Sequence, residues 1–185
     1  MHARLGIEQA VAALRQGRVI ACPTEAVWGL GCDPFNQKAV ENLLVLKQRP
    51  VEKGLILVAA DLQQLLPYLA DISAQQKAML EADSDRPTTW LVPFCADKIP
   101  RWITGEHHLL AVRISRHPLI QTLCRETGMP LVSSSANPQS LPEARSTDAV
   151  RAYFGDQLPL CEGELGDADR PSRIINLLTG EVIRD

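Results

Sequence analysis

The sequence predicts an α/β fold: one domain over residues 1–185, built on an open, twisted, mixed sheet with flanking helices. Three observations predict it. Short apolar runs of strand character alternate along the chain with stretches whose apolar residues recur at helical spacing. No repeat, low-complexity tract or linker divides them. The chain has 185 residues, 45% hydrophobic and 22% charged, which suits one domain with a real core.

The elements follow in order. Ile7, Val11 and Leu14 mark a first helix that Gly17 ends. Val19 to Ala21 reads as a strand. Cys22 to Asp33, with Gly29-Leu30-Gly31, reads either as backbone brought close to a ligand or as a structural turn under the sheet. Asn36 to Gln48 is a second helix and Leu55 to Ala59 a buried strand. Asp61 caps a helix through Leu69 that Pro67 shortens or kinks. Ser73 to Ala82 is a helix with Ser73 as its N-cap. Thr88 to Phe94 is a strand, Ile99 to Gly105 a loop, and Leu109 to Ile114 a strand carrying Arg113. That arginine is either buried with an anion or carbonyl to hold it, or on the solvent face. Pro118 to Glu126 is a helix ended by Gly128. Pro130 to Val132 starts a strand, and Ser146-Thr147-Asp148 caps a helix to about Phe154. Gly163 to Arg170 reads as polar and mobile. Ile174 to Leu178 and Val182 to Ile183 form a terminal hairpin about Thr179-Gly180.

Composition excludes several classes. The net charge of −3 means that nucleic-acid binding needs a local basic patch. No apolar run approaches the roughly 20 residues that span a bilayer, and the N-terminus lacks the apolar stretch of a signal peptide. Five cysteines, an odd number without Cys-x-x-Cys spacing, argue against a disulfide framework or zinc site and for a reducing cytoplasm. His107-His108, adjacent along the chain, make a poor metal clamp.

Two stretches carry chemistry. In Leu43 to Gly54 the apolar helical stripe of Val40, Leu43 and Leu44 continues into Lys47, Pro50 stops the helix, and Arg49 and Lys53 follow. Three cations in seven residues suit an anion such as phosphate; they equally suit a solvated basic loop with a lysine at a helix C-terminus. In Ser133 to Asn137, small polar side chains crowd the end of an apolar strand, where open α/β sheets bind ligands. Their hydroxyls and amide suit phosphate or carboxylate oxygens, and a Ser/Asn-rich turn is the plainer reading. No G-x-S-x-G elbow or neighbouring histidine marks a nucleophile. Together, Lys47, Arg49, Lys53, Ser135 and Asn137, with Arg113 and Arg184, outline an anion site.

These motifs occur in the order and spacing of a known family. Pro23-Thr24-Glu25 with Gly29-Leu30-Gly31, Lys47-x-Arg49-Pro50, Ala111-Val112-Arg113, Ser135-x-Asn137, and Pro171-Ser172 with Leu-Thr-Gly resemble the YrdC-like threonylcarbamoyl-AMP synthases, in their single-domain bacterial form. The resemblance runs from about Ile7 to Arg184. It implies a concave, positively charged sheet face. It also implies synthesis of threonylcarbamoyl-adenylate and pyrophosphate from L-threonine, bicarbonate and ATP with Mg2+ held mainly by phosphates. The product would serve threonylcarbamoyladenosine in tRNAs that read ANN codons, and a partner transferase complex would perform the final transfer.

By the same resemblance Lys47, Arg49, Ser135 and Asn137 form the catalytic quartet around the phosphates, with Lys53 and Arg184 also on the ATP side. Thr24, Arg113, Ser133 and Ser172 border the threonine pocket, Arg113 pairing the carboxylate. tRNA or double-stranded RNA would fit the basic face. The chain departs from the family at Ser84 to Pro87, where Asp85 brings negative charge, and at Ala26, Val58 and Arg173. Two other functions fit the fold. A non-catalytic RNA-binding module in ribosome maturation would not need Ser135 and Asn137 at a strand end. Carbamoyl-adenylate chemistry belongs in longer chains.

Overall fold

Eight strands form one mixed sheet in the order β1-β2-β6-β3-β5-β4-β7-β8 in the computed structural model, which describes residues 4–185. In chain order the elements are α1 (Ile7–Arg15), β1 (Ile20–Pro23), β2 (Trp28–Gly31), α2 (Gln37–Lys47), β3 (Ile56–Ala59), α3 (Ala74–Glu81), β4 (Thr88–Val92), α4 (Arg101–Thr104), β5 (Leu110–Ile114), α5 (Pro118–Thr127), β6 (Leu131–Ser135), α6 (Thr147–Phe154), β7 (Arg173–Asn176) and β8 (Val182–Arg184). β3 pairs with β5, and β4 with β7, in parallel; the other neighbours are antiparallel. Met1 to Ala3, part of the N-terminal stretch read above, lie outside the described residues. Among the described residues no helix is long and apolar enough to cross a membrane, and all five cysteines are free.

Helix boundaries follow their caps. Asn36 accepts from the Ala39 N–H and opens α2; Ser73 forms a capping box with Gln76 at α3; Ser146 accepts from the Ala149 N–H at α6. Gly128, at φ 75°, closes α5.

The register divides the sheet into two faces. Leu57, Val112 and Trp90 share a row, as do Ile56, Ala111 and Leu91 on the opposite face. On the first face Leu57, Val112, Val92, Leu30 and Val132 pack with Val40, Leu43, Ile103 and Val150 from α2, α4 and α6. On the other, Val58 packs with α1 and α5 through Leu14, Ile120 and Leu123. Those two helices cover only part of that face. The uncovered part, over Ile56, Ala111 and Leu91, is where the concavity described below lies.

Cys22 to Asp33 lies in a hairpin, β1–β2, paired onward to β6 at Gly29↔Ser135, with Gly29 lining the concavity described below. Three expectations are corrected. The helix expected from Asp61 to Leu69 is a run of turns with one 3-10 turn at Leu66–Tyr68. Asp61 does accept from the Gln64 N–H and Leu66 N–H donates to Leu62 O, but Pro67 has no N–H to extend that turn and the bonds after it are i→i−3. Residues 99–105 contain α4, not a loop. Its backbone locks the basic loop: Leu55 N–H donates to Ile103 O (2.8 Å), and Glu106 N–H to Glu52 O (3.1 Å). The strand begun at Thr88 ends at Val92, short of Phe94.

That lock depends on a glycine. Gly54 sits at φ 60°, and a Cβ there would lie 2.8 Å from the Thr104 carbonyl. Gly54→Ala is expected to destabilise the protein by about 2 kcal/mol, from positive φ and backbone collision together, read as a lower urea midpoint at unchanged slope.

Candidate active site

A concavity of about 460 Å³ opens on the uncovered face. Thr24, Arg49, Lys53, Arg113, Ser133, Ser135, Ser172 and Arg184 all line it, so the structure gathers eight of the expected site residues around one space. Lys47 and Asn137 stand behind its wall.

Lys47 is 4% exposed at the end of α2. Its ammonium donates to the Ser135 carbonyl, to the Asn137 carbonyl at 3.0 Å and to Asn137 Oδ1 at 3.5 Å. Its own carbonyl accepts from the Gln139 N–H at 2.8 Å. Both ends of this residue therefore bind the turn that follows β6. Ser135 Oγ donates to Asn137 Oδ1 (2.6 Å), and Asn137 Nδ2 donates to the Leu141 carbonyl (2.6 Å). Burial, and secondly the charge of Arg49, push the Lys47 ammonium down to about 8, against an opposing pull from Glu143. The lysine thus gives up its proton as pH rises through about 8. If that charge matters to the reaction, kcat/KM for the anionic substrate should fall on the same limb, since kcat/KM reports the free enzyme.

Arg49 follows a left-handed Gln48 (φ 51°) that ends α2. Its Nε and Nη2 donate to Gly54 O at 3.1 and 3.0 Å, and Nη2 also to Lys53 O at 3.1 Å. The guanidinium so closes the loop on itself while lining the concavity. Lys53 reaches Gln139 Oε1 at 3.3 Å.

Across the floor, Arg113 is buried rather than on the solvent face. Its Nη2 donates to Ser133 Oγ at 3.3 Å, and its Nη1 lies 3.8 Å from Glu25 Oε2. Burial pushes the Glu25 carboxyl up, but Arg113, the Ser115 hydroxyl and backbone N–H groups outweigh it and hold it below its ordinary value. Thr24 caps the hairpin turn, its Oγ1 donating to Val27 O at 2.8 Å. Gly29 leaves room beside it: a Cβ there would come within 3.1 Å of Thr24 Cγ2. Ser172 is buried, its Oγ 2.7 Å from Thr89 Oγ1, and Arg184 reaches back from β8 to the Ser172 carbonyl and hydroxyl.

The wall is thus cationic at Arg49, Lys53, Arg113 and Arg184, with hydroxyls between. Sequence reasoning missed Glu143, His107 and His108, which also line it. The sequence marks His107-His108 only as an adjacent pair ill suited to a metal, and Glu143 stands among loop residues with no local signal. Asp85 does not lie there: it sits in a second concavity of about 300 Å³, near Arg173 at 3.8 Å. Among the described residues no group of three His, Cys, Asp or Glu side chains is placed to hold a metal ion.

The Sua5/YciO/YrdC family model, described as "Telomere recombination", matches residues 12–185. A threonylcarbamoyl-AMP synthase of Acinetobacter baylyi is 48% identical over 97% of this chain and 96% of its own length. One of Chromohalobacter salexigens is 52% identical over 96% of each chain. Among solved structures, Sua5 of P. abyssi complexed with L-threonine superposes with a TM-score of 0.82 at 28% identity, over 95% of this chain but only 52% of that longer one. YciO of E. coli, at 23% identity, shares the fold with a TM-score of 0.80 over 98% of its length.

Proposed function

The chain belongs to the Sua5/YciO/YrdC family, and from that premise we propose that it is a threonylcarbamoyl-AMP synthase acting in tRNA modification. The observation that carries the reading is one concavity whose wall presents four cations, Arg49, Lys53, Arg113 and Arg184, with the hydroxyls of Thr24, Ser133, Ser135 and Ser172 among them. A threonine carboxylate suits buried Arg113 beside Ser133, and ATP phosphates suit the other cations.

The amine of L-threonine attacks CO2 and gives up a proton, or attacks bicarbonate with loss of water, to form a carbamate. A carbamate oxygen then attacks the α-phosphorus of ATP, and pyrophosphate leaves. The protein's work is positioning and charge neutralisation. Arg113 pairs the threonine carboxylate, with Ser133, Thr24 and Ser172 shaping that end. Arg49, Lys53 and Arg184 face the phosphates, with Ser135 at the wall. Lys47 and Asn137 act from beneath: Lys47 holds the turn after β6 in place and adds positive charge under the phosphates. Mg2+ arrives with ATP, held by the phosphates.

One continuous sheet supports a single YrdC-like domain over residues 1–185. The product passes to a threonylcarbamoyl transferase complex in the cytoplasm, and tRNA or double-stranded RNA meets the basic face. A purely RNA-binding module would use the same cations; the buried Arg113 and Ser172 favour a small acidic ligand instead.

The test is a drop-out assay. Pyrophosphate release should require ATP, bicarbonate and L-threonine together. Release that ignores threonine would refute the synthase reading.

A further inference from the structure

We infer that Glu25 is a positioning residue that holds the Arg113 guanidinium from behind, fixing the fork that meets the threonine carboxylate. The inference rests on the reading of Arg113 given above.

The two side chains are 12% and 10% exposed. One Glu25 oxygen, Oε1, is fully engaged: it accepts from Ser115 Oγ at 2.7 Å and from the Arg116 N–H at 3.0 Å. Both donors belong to the turn directly after β5, the strand that carries Arg113. The carboxylate is therefore anchored to the same rigid element as the arginine it faces. The other oxygen, Oε2, is buried without a hydrogen-bond partner, as is Arg113 Nε. Oε2 and Arg113 Nη1 are 3.8 Å apart, close enough to attract and too far to use up an N–H. Apart from the Nη2 bond to Ser133, the two terminal nitrogens of the fork keep their donors for a ligand. Glu25 lines the second concavity and not the first, which puts it on the far side of the guanidinium from the proposed substrate.

Without Glu25, one hydrogen bond of 3.3 Å to Ser133 would remain to order a long, rotamer-rich side chain. The distinctive consequence is a selective loss at the threonine end of the site.

Glu25→Gln keeps the shape and the acceptor for Ser115 and Arg116, but turns an NH2 toward the guanidinium. In this variant the KM for L-threonine is expected to rise about tenfold, the scale of ordering one arginine side chain. The KM for ATP should stay within about twofold, a split that a general loss of structure would not produce. An unchanged threonine KM overturns the inference. Arg113→Ala, measured alongside, separates the two claims. If it too leaves the threonine KM unchanged, the carboxylate role of Arg113 fails and takes this inference with it. If it raises the KM while Glu25→Gln does not, only the positioning role falls. Should Glu25→Gln not fold, Ser115→Ala loosens the same anchor and is expected to raise the threonine KM about threefold; no change would again overturn the inference.

Discussion

Replacing Lys47 with methionine should reduce turnover by a factor of about 10² or more, the scale seen when one preorganised electrostatic donor is removed. Methionine fills the space of the aliphatic stem and removes only the ammonium. That ammonium joins the end of α2 to the Ser135 and Asn137 carbonyls. Its loss would free the turn after β6 and take positive charge from beneath the phosphates. Alanine in the same place should do this and more. Lys47 is 4% exposed, so Lys47→Ala also opens a void and is expected to cost about 1–3 kcal/mol of stability. A solvated lysine at a helix C-terminus, which the sequence also allows, would cost little; the burial of Lys47 excludes that reading. Near-wild-type turnover in a folded Lys47→Met protein would remove Lys47 from the machinery.

Arg113→Ala should abolish measurable saturation by L-threonine while nucleotide binding persists. It should also destabilise the fold by about 3 kcal/mol at pH 7, because it leaves the Glu25 carboxylate buried and unpaired. The sign of the pH dependence follows from Glu25. In the wild type its folded value lies below the unfolded one, so its contribution is present above the unfolded value and is lost as pH falls through the folded one. In the variant the pull of Arg113 is gone while the burial stays, so the carboxyl takes up a proton more readily. The gap in stability between wild type and Arg113→Ala should therefore narrow as pH drops below the ordinary carboxylate range. Urea melts across that range would show it. A gap independent of pH would mean that Glu25 and Arg113 are not coupled.

Much of the site is legible in the sequence because its chemistry sits on residue types that are conspicuous at element ends. Lys47 and Arg49 flank a helix stop, Ser133 to Asn137 crowd a strand end, and Arg113 interrupts an apolar strand. The family resemblance adds Thr24 and Ser172, which have no such local mark. The β1–β2 hairpin is hidden because Pro23, Gly29 and Gly31 are poor strand formers; pairing of β2 with β6 overrides that propensity. The lost helix at Asp61 to Leu69 shows the reverse, a cap followed by one helical turn that Pro67 cuts short. α4 is one turn long and leaves no periodicity to detect. The pairing of Glu25 with Arg113 joins β1–β2 to β5 across the fold, and no spacing rule connects them.

The central claim is that one concavity joins threonine, a one-carbon unit and the adenylate of ATP. Isotope-labelled bicarbonate tests it most directly. Protein, ATP, Mg2+, L-threonine and the labelled bicarbonate should yield an adenylate whose mass is that of threonylcarbamoyl-AMP and which carries the label. An adenylate without label, or one formed equally well when threonine is omitted, would contradict the account.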